Sequence, residues 1–210
     1  MCGIIGYSLS SELSLPENKL NTIFDIIAHR GPDDQGYYHD HISKVSLFHT
    51  RLSIQDISSL GHQPMISTNN QVVIVFNGEI YNFKELRSEL ISKGRKFKGN
   101  SDTEVLLNLY QEEGREMLSK LNGMFALALW DKQTQSLLLA RDSLGIKPIF
   151  YTSLNKNFFF ASEIKALLPF LENVINLNLD SIQKYLTYLY CPGKRTAIKS
   201  VYKLLPGEAI

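Results

Sequence analysis

The sequence predicts an α+β fold, a layered sandwich of mainly antiparallel sheets, and three observations predict it. Short β-type segments come in runs, and the helical segments are grouped between them instead of alternating one for one as a parallel sheet requires. Two pairs of β-type segments are joined by short polar turns, the mark of hairpins. Neither G-x-G-x-x-G nor G-x-x-x-x-G-K-[ST] occurs, so the dinucleotide and P-loop signatures are missing. With 210 residues, 44% of them hydrophobic, the chain is long enough for one well-buried domain over 1–210.

The elements follow in order. Cys2 to Leu9 reads as a short apolar strand punctuated by Gly3 and Gly6. Pro16 to Ala28 reads as a helix, with Leu20, Ile23, Phe24 and Ile27 at helical spacing. HRGPDDQG, 29–36, is built from turn formers and reads as a loop. Val45 to Thr50 and Gln71 to Phe76 read as buried strands. Asn82 with Glu85 opens one helix, which Gly94 closes; Ser101 with Glu104 forms a capping box for a second, which Gly114 closes. Met124–Trp130 and Ser136–Ala140 pair around the turn 131–135, and Ile149–Leu154 pairs with Asn157–Ala161 around Asn155 and Lys156. Glu163 to Leu171 reads as a short helix. Asp180 caps another, which carries Ile182, Tyr185, Leu186 and Leu189 on one face and is broken by Pro192-Gly193. A final short strand leads to Leu205-Pro206-Gly207.

Composition excludes several classes of partner. The formal net charge is +1 and no basic run occurs, so nothing attracts nucleic acid or an anionic membrane surface. No apolar stretch is long enough to span a bilayer. The start, MCGIIGYSLS, lacks the basic and apolar regions of a secretory signal, which points to the cytoplasm. In a reducing compartment Cys2 and Cys191 are not expected to form a disulfide, and no CxxC or HExxH spacing indicates a metal.

The chemistry starts at Cys2. Cysteine is small, so Met1 is expected to be trimmed, which gives Cys2 a free α-amine. Such an amine has a reference pKa of about 7.7–8.0 against about 8.5 for a thiol, so it can act as general base within its own residue. A cysteine with His29, His49 or His62 as base is the alternative arrangement, and no spacing singles one out. A thiolate attacking a side-chain amide needs donors where the oxyanion forms. In VVIVFNGEIYN a buried strand runs into Asn77 and Gly78, which offer a side-chain amide and a closely approachable backbone N–H. The same dipeptide is also a hairpin signal, but the segment from Tyr81 onward reads as helix, not as a returning strand. Arg51, at a strand end, suits an α-carboxylate; Glu79 and Asp102 suit an α-ammonium, although Asp102 also favours the helix N-terminus on its own account.

Together these residues resemble the glutamine amidotransferase domain of the asparagine synthetase family, within the N-terminal nucleophile hydrolases. Ten segments match in order: MCGIIG, HRGPDDQG, HTRLSIQD, QPM, FNGEIYNFKELR, SDTEVLL, LNGMFALALWD, LLLARDSLGIKPIFY, FASEIKALL and KLLPGE. The resemblance implies a four-layer α/β/β/α sandwich. It implies Cys2 as nucleophile, Asn77 and Gly78 as the oxyanion hole, and a glutamine pocket of Arg51, Leu52, Ser53, Ile54, Gln55, Glu79 and Asp102. It implies hydrolysis of L-glutamine to L-glutamate and ammonia through a thioester, without cofactor or metal in this domain. ATP and Mg are expected only in a C-terminal synthetase domain in cis, toward which the residues after about 190 lead and whose SGGxDS loop is not among these 210 residues. That domain is expected to amidate aspartate; another acceptor such as a saccharide, or a non-catalytic scaffold role, are the alternatives, and a homodimer is compatible with either. RDSLGIKP, 141–148, reads as a turn around Gly145 and Pro148, and Cys191 as inert.

Overall fold

The computed structural model describes residues 1–10, 17–171 and 175–210. Among these described residues, ten strands form two sheets in which every strand pair is antiparallel. The first sheet has six strands: β1 (Gly3–Ser8), β2 (Asp34–Asp40), β3 (Val45–Arg51), β8 (Phe150–Leu154), β9 (Asn157–Ala161) and β10 (Tyr202–Lys203), in the order β10-β8-β9-β1-β3-β2. The second has β4 (Met65–Ile66), β5 (Val72–Ile80), β6 (Gly123–Asp131) and β7 (Ser136–Arg141), in sequence order. Helices α1 (Glu17–Ile27), α2 (Phe83–Ser92), α3 (Asp102–Glu113) and α4 (Leu179–Tyr188) complete the fold.

The period-two alternation of the strands produces the layers. Ile4, Val45, Leu47 and Phe160 of the first sheet meet Val73, Val75, Ala126, Ala128 and Trp130 of the second in a buried layer between them. The alternate residues face outward. Val72, Ile74, Phe76, Phe125 and Leu127 pack under α2 and α3 through Leu86, Leu90, Val105 and Leu109. Ile5, Tyr7 and Phe48 pack under Ile23 and Ile27 of α1 and under Ala166 and Leu167. The order is therefore helix, sheet, sheet, helix, as the resemblance implies.

Several local expectations need correction. The 29–36 segment is not all loop: a 3₁₀ turn at Ala28–Arg30 is followed by β2, which starts at Asp34. β5 does not end at Phe76 but runs to Ile80, so Asn77 and Gly78 lie inside a strand and not at a turn. Asn82 stands at the N-cap of α2 without capping it; its amide bridges Lys120 O (2.9 Å) and Asn122 N (3.0 Å) instead. Ser101 does cap α3, accepting from Glu104 N at 3.2 Å, but the Glu104 carboxylate takes Lys98 N and Gly99 N, leaving half a capping box. The 163–171 helix is two 3₁₀ turns, Ile164–Ala166 and Leu168–Phe170, because Pro169 has no N–H to continue a helical ladder.

Asn178, not Asp180, caps α4, and the helix stops at Tyr188, before Pro192, with Leu189 left-handed. Tyr185, Leu186 and Leu189, predicted to share a face, are exposed. The Asn155–Lys156 turn is as expected, with both residues at positive φ. Pro16 and the side chain of Leu20 lie outside the described residues. No helix among the described residues is long and apolar enough to cross a membrane.

Candidate active site

The apolar layer between the sheets ends at one side, and the same alternation then delivers polar residues. Continuing the inward positions of β3 from Val45 and Leu47 gives His49 and Arg51. Continuing β5 from Val73 and Val75 gives Asn77 and Glu79. Continuing β1 backward from Ile4 gives Cys2. One cavity is lined by Cys2, Arg51, Asn77, Gly78, Glu79 and Asp102, with Met1 at its edge. Of the pocket residues inferred from sequence, Leu52, Ile54 and Gln55 also line it. Ser53 does not; its N–H is engaged by Asp33 Oδ2 at 2.7 Å.

The Cys2 thiol lies 3.4 Å from Leu52 N and 3.7 Å from Leu52 O. Burial pushes its pKa up, against the Leu52 N–H and the nearby positive charges of the chain's α-amine, Arg51 and Lys147. Its carbonyl accepts from Arg30 Nε at 2.9 Å, and Arg30 is tied in turn to Glu163 at 2.8 Å. Burial alone would raise the Glu163 pKa, but bonds from Arg30, His29 and Lys165 hold it down at about 2. This clamp on the start of β1 was not foreseen from sequence; a charged pair separated by more than a hundred residues leaves no local pattern.

Asn77 is 1% exposed, and its side-chain nitrogen has no hydrogen-bond partner among the described residues. Opposite Gly78, Phe125 directs its N–H to Asp142 Oδ2 (3.1 Å) and its C=O to Asp142 N (2.8 Å). Gly78 and Phe125 are therefore a non-hydrogen-bonded pair, and the Gly78 N–H points away from β6. It points to the edge that β4, paired only with Val73 and Ile74, leaves uncovered. Gly78 is glycine because a Cβ would collide with the Met124 carbonyl and lie 2.8 Å from Phe125 Cα.

Phe76, just before this pair, is held at both polar groups. Its N–H donates to Gln63 Oε1 at 2.6 Å, and its C=O meets His49 Nε2 at 3.1 Å. Gln63 also reaches Thr103 of α3 (3.3 Å), so one side chain ties β5 to the helix that carries Asp102. His49 and His62 are both hydrogen-bonded; His62 Nδ1 meets Asp34 Oδ2 at 2.7 Å. Burial holds the His49 pKa down at about 3, from 6.5. The unfolded chain then takes up this proton below about pH 6.5 and the native state does not, so stability is full above that pH and falls as pH drops toward 3. Comparing urea midpoints at about pH 7 and 5, the wild type is expected to lose about 2 kcal/mol more than His49→Gln. Equal losses would overturn this assignment.

Arg51 turns its guanidinium to the 55–58 loop: Nη1 donates to Ser58 O at 3.0 Å and Nη2 to Asp56 O. The carboxylates stand opposite. Gln55 Nε2 donates to Glu79, and Asp102 Oδ2 accepts from Ile80 N at 3.1 Å. Burial, with the charge of Glu79 adding to it, raises the Asp102 pKa to about 6. The cavity thus has a thiol, amide donors, two cations and two carboxylates. This set can attack an amide, hold its oxyanion and grip the charged end of an amino acid. Among the lining residues that sequence reasoning missed are Gln63, Thr103, Met124 and Lys147, the last read only as part of a turn.

The fold is that of the N-terminal nucleophile amidotransferases. The glutamine phosphoribosylpyrophosphate amidotransferase of B. subtilis superposes with a TM-score of 0.64 over 79% of this chain and 43% of that one, at 22% identity. The family model described as "glutamine amidotransferase domain" matches residues 1–210, and the chain belongs to that family. Asparagine synthetase [glutamine-hydrolyzing] 1 of Bacillus subtilis is 41% identical over 99% of this chain and 33% of its own length. Asparagine synthetase [glutamine-hydrolyzing] 3 of the same organism is 42% identical over 80% of this chain and 27% of its own. Amidase chry2 of Gibberella zeae is 39% identical over 81% and 27%. The chain spans about a third of the length of these relatives, and the resemblance read from the motifs holds.

Proposed function

We propose that this domain hydrolyses L-glutamine to L-glutamate and ammonia, with Cys2 as nucleophile. The observation that carries the reading is the buried, partnerless amide nitrogen of Asn77 in the same cavity as the Cys2 thiol. An unsatisfied buried donor costs the fold about 1–3 kcal/mol, and a developing oxyanion is the charge that would repay it.

With Met1 removed, the Cys2 α-amine takes the thiol proton and the thiolate adds to the side-chain amide carbon of glutamine. The oxyanion is held by Asn77 Nδ2–H and Gly78 N–H. The protonated amine then gives its proton to the leaving nitrogen, ammonia departs and a thioester remains. Water, deprotonated by the same amine, adds to the thioester and releases glutamate and the thiol. Arg51 binds the substrate α-carboxylate; Glu79 and Asp102 bind the α-ammonium. The ammonia would serve an ATP- and Mg-dependent synthetase domain in cis, through a path shielded from water, with aspartate as the acceptor favoured by the names of the relatives. A cytoplasmic setting goes with this reading, since Cys2 must stay a reduced thiol.

The test is glutamate release by purified protein whose loss of Met1 has been verified by mass, together with labelling by a glutamine-shaped chloroketone. Turnover and a label on Cys2 are expected. Neither turnover nor label would replace this reading with that of a non-catalytic scaffold. The Asp102 pKa of about 6 adds a pH dependence. The substrate ammonium favours the ionised carboxylate, so KM for glutamine is expected to rise several-fold as pH falls through about 6. In Asp102→Asn that rise should vanish, with KM high throughout. A wild-type KM that stays flat between about pH 7 and 5 would remove Asp102 from the substrate site.

A further inference from the structure

The loop between β7 and β8 is built to a degree that its surface position does not require. Arg141 sends its guanidinium to three carbonyls: Lys147 O at 2.8 Å, Leu204 O at 2.6 Å and Gly145 O at 2.5 Å. The buried Asp142 carboxylate accepts four backbone N–H groups: Phe125 and Lys147 at Oδ2, Leu144 and Ile146 at Oδ1. Gly145 has φ +67°, which only glycine adopts without strain, and the loop closes around it. The exception to this full pairing is the Lys147 side chain. It is 8% exposed, and among the described residues no hydrogen bond or ion pair takes up its Nζ. It lines the cavity that contains Cys2.

A rigid loop that fixes a cation with no partner of its own in the cavity of a nucleophile has a chemical use. We infer that Lys147 is the electrostatic partner of Cys2: its ammonium stabilises the thiolate and keeps the neighbouring α-amine neutral, and so able to act as base. This rests on the reading of Cys2 as nucleophile and deepens it. Both effects follow from charge alone, since a fixed cation favours a nearby anion and disfavours a second cation. The Lys147 charge acts on the thiol in the direction opposite to burial.

Lys147 shares this effect with Arg51, whose charge acts on the thiol in the same direction; what sets Lys147 apart is that its ammonium is not committed to other groups among the described residues. Arg51 is turned to the 55–58 carbonyls, and Arg30 is engaged by the Cys2 carbonyl and by Glu163. Glu79 and Asp102, across the cavity, oppose thiolate formation; until a substrate ammonium offsets them, Lys147 and Arg51 are the charges that balance them.

The experiment is the pH profile of alkylation by iodoacetamide, read separately at Cys2 and Cys191 by peptide mass spectrometry. Cys191 does not line the cavity and serves as the internal reference. In Lys147→Met and Lys147→Gln, Cys2 alkylation near neutral pH is expected to slow on the order of tenfold, its profile moving up by about one pH unit. The Cys191 profile should stay in place. Lys147→Arg, which keeps the charge, should restore the Cys2 profile. If both neutral variants alkylate Cys2 as the wild type does, the inference is overturned. It is equally overturned if Lys147→Arg is as slow as they are, because packing and not charge would then be the cause. The nucleophile reading fails separately, through glutamate release that survives loss of the Cys2 thiol.

Discussion

Cys2→Ala should abolish glutamate release and leave the fold unchanged. The mechanism has no second nucleophile, so kcat is expected to fall by at least about 10⁴-fold, with whatever remains coming from water attacking a bound, polarised amide. Stability should scarcely move. The thiol makes only long contacts with the Leu52 backbone, and the strong tie at this position, from Arg30 to the Cys2 carbonyl, belongs to the backbone and survives the change. The measurement is glutamate production alongside a urea unfolding curve, for Met1-free protein of both forms. Turnover within tenfold of wild type would end the thioester mechanism. Lost turnover with a collapsed unfolding transition would show that the residue has a structural role.

The second large effect separates activity from stability in the opposite sense. Asn77→Ala removes an amide that contacts the reaction only when the oxyanion forms, so kcat should drop by about 10²–10³-fold with KM near the wild-type value. Its side-chain nitrogen has no partner in the free protein, so the change also removes a buried unsatisfied donor. Stability is therefore expected to hold or to rise, by up to about 1 kcal/mol, even as catalysis collapses. Steady-state kinetics and urea midpoints on the same preparation decide it. A kcat within threefold of wild type would remove Asn77 from the oxyanion hole. A rise in KM at constant kcat would move it to ground-state binding.

The two residues differ in how far the sequence revealed them. Cys2 was visible because a cysteine at the second position makes a specific chemical sense when its amine is free. Asn77 was visible as a type of residue but not as a conformation. Asn-Gly is a turn signal, and only the pairing with Ala126 and Phe125 shows that the dipeptide continues a strand. The reason lies in the packing at Gly78: β6 passes so close that a glycine is required for approach, not for a turn. β2 was missed because DQGYYHD buries none of its residues fully, so it lacks the one-sided alternation that marks a strand. It is an edge strand, ordered by its pairing with β3.

Sequence by itself determined the local elements and the chemistry available. The periods of two and 3.6, the Ser101 cap, the Asn155–Lys156 turn and the amidotransferase motifs are all properties of short stretches of chain. Tertiary structure decided what faces what. Cys2, Arg51, Asn77 and Asp102 share one cavity because two sheets stack with their inward registers aligned and α3 starts over the open edge of β5. Tertiary structure alone decided that Arg30 and Glu163 clamp Cys2 and that Lys147 lines the same cavity, with no hydrogen bond or ion pair to its Nζ among the described residues. A strand's alternation depends only on neighbouring residues, whereas the solvation and pairing of a charge depend on atoms brought together from distant parts of the chain.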